Sequence, residues 1–265
     1  MDRRWKRRLT IGGLAVAAPL LALGAAFGGV MYVTFRDVVP PVDGLRVGPA
    51  RVVVDGYVSA LVVDVGDGVV LIDAGEDPAA RAILAALAEE GRGPGDVRAI
   101  LLTHGHRDHR GGVGAFPGAE VYAHAAELPW LRGERAYGGP IPRLSGHHAP
   151  LAVDHAVTDG EVVELGARRF RAFHVPGHTA GSVAWLVGGV LVLGDAAHAE
   201  TGGALAPSPW VFSDDVAADR ASLEGLPARL EAAGARVDWL VFSHSAPLRG
   251  MGSLEAWAAR RRAER

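Results

Sequence analysis

The chain has 265 residues, enough for one large domain or two small ones, and it contains no cysteine, which excludes disulfides, thiolate metal sites and cysteine nucleophiles. Residues 1–8 carry a net charge of +4, and because the whole chain carries −3, residues 9–265 carry −7. An acidic body is a poor electrostatic match for nucleic acid, so we expect no nucleic-acid partner.

Residues 9–35 form an uncharged stretch directly after this basic start. A transmembrane helix needs about 20 apolar residues, whereas the apolar part of a cleavable signal peptide has only about 7–15. We therefore predict a single-pass transmembrane signal anchor over 9–35, with residues 1–8 on the cytoplasmic side and the catalytic domain outside the cytoplasm. Secretion after signal cleavage is the alternative. Residues 36–44 are predicted to be a linker, followed by one domain over 45–265.

Apolar runs separated by turn residues predict ten strands in this domain. They are Val52–Val54, Ser59–Val65, Val69–Ile72, Ala99–Leu102, Val121–Tyr122, Val162–Leu165, Phe170–Val175, Val183–Val187, Val190–Leu193 and Leu240–Phe242. Helical patterns lie at Pro78–Glu90, Ala125–Leu131, Val216–Ala233 and Leu254–Arg262. Both halves of the domain read as strands, then helix and strand, which favours an α/β (α+β) sandwich of two sheets between helices. Residues 133–153 predict a long loop, either a lid over a substrate or a plain surface excursion.

The segment Thr103–Arg110 concentrates metal-binding chemistry directly after the apolar run Ala99–Leu102. Imidazole and carboxylate are ligands that borderline metals such as Zn²⁺ accept. The candidates in this segment are His104, His106, Asp108 and His109. Four more polar residues follow other apolar strands, namely Asp73, His178, Asp195 and His244. We expect the ends of these strands to bring all eight residues to one edge of the fold.

In these ordered motifs the chain resembles the metallo-β-lactamase fold hydrolases over about residues 45–250. The resemblance implies a four-layer αββα sandwich with two divalent metal ions, Zn²⁺ before Fe or Mn. It implies a first metal site made by His104, His106 and His178, and a second made by Asp108, His109 and His244. Asp195 would bridge the two ions. Asp73 would steady the ligand loop without binding metal, as supporting carboxylates do.

Two metal ions that share a water lower its pKa toward neutrality, and Asp108 would pass on a proton besides binding metal. We therefore predict a hydrolase that cleaves an ester, thioester or lactone of a small-molecule substrate, similar to the glyoxalase II and lactonase branch. Classical lactamases usually lack the residue that corresponds to Asp195. Glyoxalase II binds glutathione with a helical extension, and only 21 residues follow His244 here. The alternatives are a mononuclear iron persulfide dioxygenase, a β-lactamase, a phosphodiesterase and a non-catalytic metal-binding module.

Six further histidines lie outside these motifs: His124, His147, His148, His155, His174 and His198. We expect His174 to pack in the core, because it lies in a predicted strand. His147, His148 and His198 are candidates to face the substrate, and the others are expected on the surface or in structural roles. Thr103 and Thr179 flank the ligands, either as supports for them or as turn residues.

Overall fold

The computed structural model describes residues 20–145 and 149–264, so the predicted site residues His147 and His148 lie outside the described residues. The chain divides into two compact units, 1–38 and 39–265. In the first unit, residues 20–35 form helix α1. No helix in the described ranges is both long enough and apolar enough to cross a membrane. The predicted anchor over 9–35 begins outside those ranges and stays a prediction.

The second unit contains short strands and helices throughout its described residues. The strands are β1 Arg46–Val47, β2 Ala50–Asp55, β3 Val58–Asp64, β4 Val69–Ile72, β5 Val97–Leu101, β6 Glu120–His124, β7 His155–Val157, β8 Val162–Leu165, β9 Arg168–His174, β10 Val183–Val187, β11 Val190–Val192, β12 Ala197–Glu200, β13 Ala204–Pro207, β14 Trp239–Val241 and β15 Leu248–Arg249. The helices are α2 Arg81–Glu89, α3 Arg107–Arg110, α4 Leu128–Leu131, α5 Val216–Ala232 and α6 Gly252–Ala263.

Two larger sheets and a small ribbon carry these strands. The first sheet has seven strands in chain order, β1 to β7, with antiparallel pairs up to β4 and parallel pairs from β4 to β7. The second has the order β15-β14-β11-β10-β9-β8, and within it β11 and β14 run parallel. Strands β12 and β13 form a separate antiparallel ribbon.

Three apolar clusters define the layers of the sandwich. The cluster between the two sheets takes Leu61 and Ile72 from the first and Phe170 and Trp185 from the second. Alternate residues of the same strands face outward, where helix α2 covers the first sheet and helices α5 and α6 cover the second. Burying a Leu, Val or Phe side chain stabilises the fold by roughly 1.5–3 kcal/mol each. The order of layers is therefore helix, sheet, sheet, helix, as predicted.

Each of the ten predicted strands overlaps an observed strand, while two of the predicted helices need correction. The helix predicted from Pro78 begins at Arg81, because Ala80 adopts a left-handed conformation with φ of 46°. The helix predicted over Ala125–Leu131 divides into a 3₁₀ turn, Ala125–Glu127, and the single turn α4. Pro129 lies in the first turn of α4, where its missing N–H costs no helical hydrogen bond.

Candidate metal centre

The candidate ligands lie where strands of both sheets end. Asp73 directly follows β4, and the histidine-rich segment begins two residues after β5. Asp195 and His244 each lie three residues after the parallel strands β11 and β14, and His178 follows β9. Backbone hydrogen bonds join the two sheets at this edge: Val183 N donates to Thr103 O at 2.9 Å, and Ser59 N donates to Ser243 O at 2.8 Å.

Three buried imidazoles converge at the inner part of this edge, which we call the three-histidine group (His104, His106 and His178). His178 Nε2 lies 3.1 Å from His104 Nε2 and 2.9 Å from His106 Nδ1. His104 Nε2 and His106 Nδ1 are 3.0 Å apart. The exposed fraction of these residues is 7% or less. Three ring nitrogens at these separations could hold one metal ion in common.

A second cluster, which we call the outer group, consists of Asp108, His109 and His244. His244 Nε2 lies 3.4 Å from Asp108 Oδ2, and His109 Nε2 lies 3.8 Å from the same oxygen. The His109 side chain is fully buried, whereas the side chains of Asp108 and His244 are 20% and 25% exposed. The outer group is therefore more open to solvent than the three-histidine group.

Asp195 lies between the two groups. Its Oδ2 is 3.5 Å from His178 Nε2 and 3.1 Å from His244 Nε2, and its Oδ1 is 3.5 Å from His109 Nε2. Asp195 also forms a third ligand-like set with His104 and His109. All seven predicted ligands thus fall within three overlapping clusters, and their role as ligands is taken up below as a proposal.

Four of the histidines have their second ring nitrogen bound by an oxygen. His109 Nδ1 donates to Asp73 Oδ2 at 2.8 Å, and His244 Nδ1 donates to the Tyr57 carbonyl at 3.0 Å. His104 Nδ1 lies 3.1 Å from Thr103 Oγ1, and His178 Nδ1 lies 2.8 Å from Ser208 Oγ. In each case Nε2 is left to point into the cluster. Metal-binding histidines show this arrangement, because the outer bond fixes the tautomer and the orientation of the ring.

Asp73 supports the segment Thr103–Arg110 through hydrogen bonds. Besides its bond to His109, it accepts hydrogen bonds from Thr103 N at 2.7 Å and from Thr103 Oγ1 at 2.8 Å. It is buried, and its φ of 61° lies in the left-handed region that residues other than glycine rarely adopt. Such strain costs about 1–3 kcal/mol and persists where surrounding contacts hold it, often at functional sites.

The protonation equilibria of the two groups favour a bound cation. Burial, with help from His109, lowers the pKa of His104 well below its usual range. Burial also lowers the pKa of His178 to about 4, so both imidazoles are neutral near pH 7 and able to bind metal. Burial alone would lower the pKa of His109, but Asp195 and Asp108 raise it well above its usual value. The outer group therefore attracts positive charge.

Asp195 carries the complementary charge. Burial would raise the pKa of Asp195, but the His244 and His109 imidazoles hold it well below its usual range. Buried polar atoms nearly always have partners, yet His109 Nε2 and Asp195 Oδ1 lack a hydrogen-bond partner among the described residues. Both point into the cluster, so the donor set of imidazoles and carboxylates fits divalent metal ions such as Zn²⁺.

Three residues that contact this site were not predicted from the sequence. The Tyr57 ring stacks on His244 with ring centroids 5.6 Å apart. Ser208 contacts His178, as described above, and Glu127 is a buried carboxylate that accepts a hydrogen bond from Thr179 Oγ1 at 2.8 Å. None lies in a motif. For Glu127 the one available signal was an acidic residue at the start of an otherwise apolar helical pattern.

The other histidines among the described residues lie outside the three clusters of candidate ligands. His174 is half-buried, and its ring stacks on that of His124 with centroids 3.8 Å apart. His155 is exposed and stacks on Tyr122. His198 is buried at the second position of β12, three residues after Asp195, and its Nε2 lies 3.7 Å from Glu200 Oε1.

Part of the predicted loop 133–153 packs beside His178. Gly139 N donates to Asp214 Oδ1 at 3.0 Å, and Ile141 N donates to Val211 O at 2.9 Å. Asp214 N in turn donates to His178 O at 3.0 Å. This part of the loop is therefore bonded to a wall of the site.

Comparison with known proteins identifies the family. A family model described as the metallo-beta-lactamase superfamily matches residues 53–244. A hydroxyacylglutathione hydrolase from Photobacterium profundum is 38% identical over 37% of this chain and 32% of its own length. The acyl-coenzyme A thioesterase MBLAC2 from Gallus gallus is 29% identical over 52% of this chain and 48% of its own. The chain spans less than half the length of these relatives.

Among solved structures, a B3 metallo-beta-lactamase with an active-site glutamic acid is 27% identical with a TM-score of 0.62, covering 86% of this chain and 90% of the other. The fold, the assembled histidines and aspartates and the matched family model point the same way. The matched region runs from β2 to His244 and so contains every candidate ligand. The protein belongs to the metallo-beta-lactamase superfamily.

Proposed function

We propose that this metallo-hydrolase cleaves an ester, thioester or lactone bond with a dinuclear metal centre. The observation that carries the proposal is the position of Asp195, whose carboxylate lies within 3.5 Å of His178 on one side and of His244 on the other. A carboxylate in this place fits a bridge between two ions. The names of two relatives describe hydrolysis of hydroxyacylglutathione and of acyl-coenzyme A thioesters, which supports this bond class.

The three-histidine group would hold one ion, and the outer group would hold the other. If bound there, the two ions would supply Lewis acidity able to lower the pKa of a water and stabilise an oxyanion. Asp108 contributes an acceptor oxygen on the exposed side, where it can take up a proton and release it to solvent. The hydrogen bond from His244 Nδ1 to the Tyr57 carbonyl orients the ring so that His244 Nε2 is directed at Asp195 and Asp108.

The surroundings of the outer group favour a substrate with an apolar portion. Tyr57 is 57% exposed, and its ring stacks on that of His244. Ligand pockets are lined predominantly by hydrophobic and aromatic side chains. We propose that Tyr57 contacts the acyl group of a small-molecule substrate.

Purified protein is expected to contain about two divalent metal ions per chain, zinc before iron or manganese. It should hydrolyse members of a panel of p-nitrophenyl esters, acyl thioesters and lactones, with faster turnover of butyryl or hexanoyl than of acetyl substrates. Elemental analysis and a spectrophotometric assay before and after chelation measure both. One tightly bound iron with sulfur-dependent oxygen uptake, and no hydrolysis, would instead support the persulfide dioxygenase.

We also propose that residues 9–35 anchor the domain outside the cytoplasm. The support is the uncharged stretch after a start of net charge +4. Protease added to spheroplasts that express the full chain should digest the domain and leave a cytoplasmic marker enzyme intact, as read by immunoblot. Complete protection until the membrane is permeabilised would overturn this proposal.

A further inference from the structure

Glu127 is a fully buried carboxylate that belongs to neither ligand loop yet contacts both. It ends the 3₁₀ turn Ala125–Glu127, which follows β6. The first loop carries His104 and His106, with Gly105 between them. The second loop carries His178 and continues to Gly181. A buried carboxylate is costly unless hydrogen bonds compensate for its lost hydration.

The carboxylate divides its two oxygens between the two loops. Oε1 accepts hydrogen bonds from Gly105 N at 2.9 Å and from Tyr137 Oη at 2.8 Å. Oε2 accepts from Thr179 Oγ1 and from Gly181 N, both at 2.8 Å. With two donors on each oxygen, the carboxylate is saturated and is not available as a metal ligand itself. Its four bonds tie one loop to the other.

One loop approaches Glu127 itself, and the other approaches its hydrogen-bond partner Tyr137, closely enough to require glycine. A Cβ atom on Gly105 would lie 2.1 Å from Tyr137 Oη, and a Cβ atom on Gly181 would lie 2.4 Å from the Glu127 backbone nitrogen. The contact is therefore made by backbone and leaves little room for adjustment. A shift of the Glu127 carboxylate would move the backbone on both sides of the three-histidine group.

We propose that Glu127 is a positioning residue that sets the spacing between His104 and His106 on one loop and His178 on the other, and thereby the metal affinity of the three-histidine group. The inference rests on the proposed dinuclear centre. The four hydrogen bonds of Glu127 do not reach the outer group, so its effect should be confined to one of the two ions. Residues that orient ligands in this way typically contribute about 10–100-fold to metal affinity.

The test is Glu127→Gln, which keeps the size of the side chain but places an NH₂ group against two hydrogen-bond donors. Chelator-treated protein is titrated with Zn²⁺ in competition with a chromophoric chelator, in parallel with His178→Ala and His244→Ala. We expect the Gln variant to bind one of the two Zn²⁺ equivalents about 10–100-fold more weakly. The weakened equivalent should be the one held by the three-histidine group, which His178→Ala loses and His244→Ala keeps.

Glu120→Gln is the matched control, because Glu120 lies on the preceding strand with an exposed side chain and should leave both equivalents unchanged. If Glu127→Gln does not fold, Tyr137→Phe removes one of the four donors and should weaken the same equivalent to a smaller extent. Equal weakening of both equivalents, or no weakening in a folded variant, would overturn the inference. Wild-type protein that binds fewer than two equivalents would instead contradict the proposed dinuclear centre.

Discussion

Replacing Asp195 by Asn should reduce the metal content from about two ions per chain to about one and lower kcat at least 100-fold, roughly 3 kcal/mol of lost transition-state stabilisation. The carboxylate is the element common to both groups, with Oδ2 3.5 Å from His178 Nε2 and 3.1 Å from His244 Nε2. An amide keeps the shape but loses the negative charge that His109 and His244 face. Elemental analysis and steady-state kinetics on the same preparation measure both effects.

Asp238→Asn provides the matched control for this change. Asp238 is a half-exposed carboxylate directly before β14, the strand whose other end leads to His244, and it pairs with Arg236 at 2.9 Å. It should retain full metal content and activity. If the Asp195 variant kept both ions and wild-type turnover, the bridging role would be wrong, and the proposal would reduce to two independent sites.

The ligand edge could be predicted because its signals are local. Asp73, Asp195 and His244 each follow a short apolar run that forms a buried strand. Parallel pairing of β4 with β5 and of β11 with β14 then brings the ends of these strands together. The order of the motifs indicated the family, and the resemblance to that family implied a four-layer αββα sandwich.

The supporting contacts could not be predicted because their partners are distant in sequence. Glu127 bonds residues 22 and 54 positions away, Gly105 and Gly181. The Tyr57 carbonyl meets His244 across 187 positions. No periodicity or spacing encodes such pairs, and a single Glu at the start of an apolar stretch resembles a surface residue. Five strands were not predicted. Strands β1, β7 and β15 have two or three residues each, too few for a pattern, and β12 and β13 have only four residues each and form a separate ribbon.

Replacing Asp108 by Ala should abolish hydrolysis of activated esters and thioesters, with kcat falling about 10²–10⁴-fold, while the fold stays intact. The Asp108 side chain is partly exposed to solvent, and its Oδ2 lies 3.4 Å from His244 Nε2 and 3.8 Å from His109 Nε2. It is thus placed both to complete the outer group and to move a proton. The apolar cores lie in the three layers of the sandwich, so its loss removes none of their packing.

Circular dichroism and thermal unfolding should show that the Asp108→Ala variant is folded. The substitution should lower kcat more than it changes KM, because the side chain acts on the reaction and not on the apolar part of the substrate. Asp67→Ala is the control: this exposed aspartate lies in the turn before β4, at the strand end remote from Asp73. Turnover by the Asp108 variant within about tenfold of wild type would exclude the proposed proton-transfer role. Loss of activity in both variants would point to a general effect of charge.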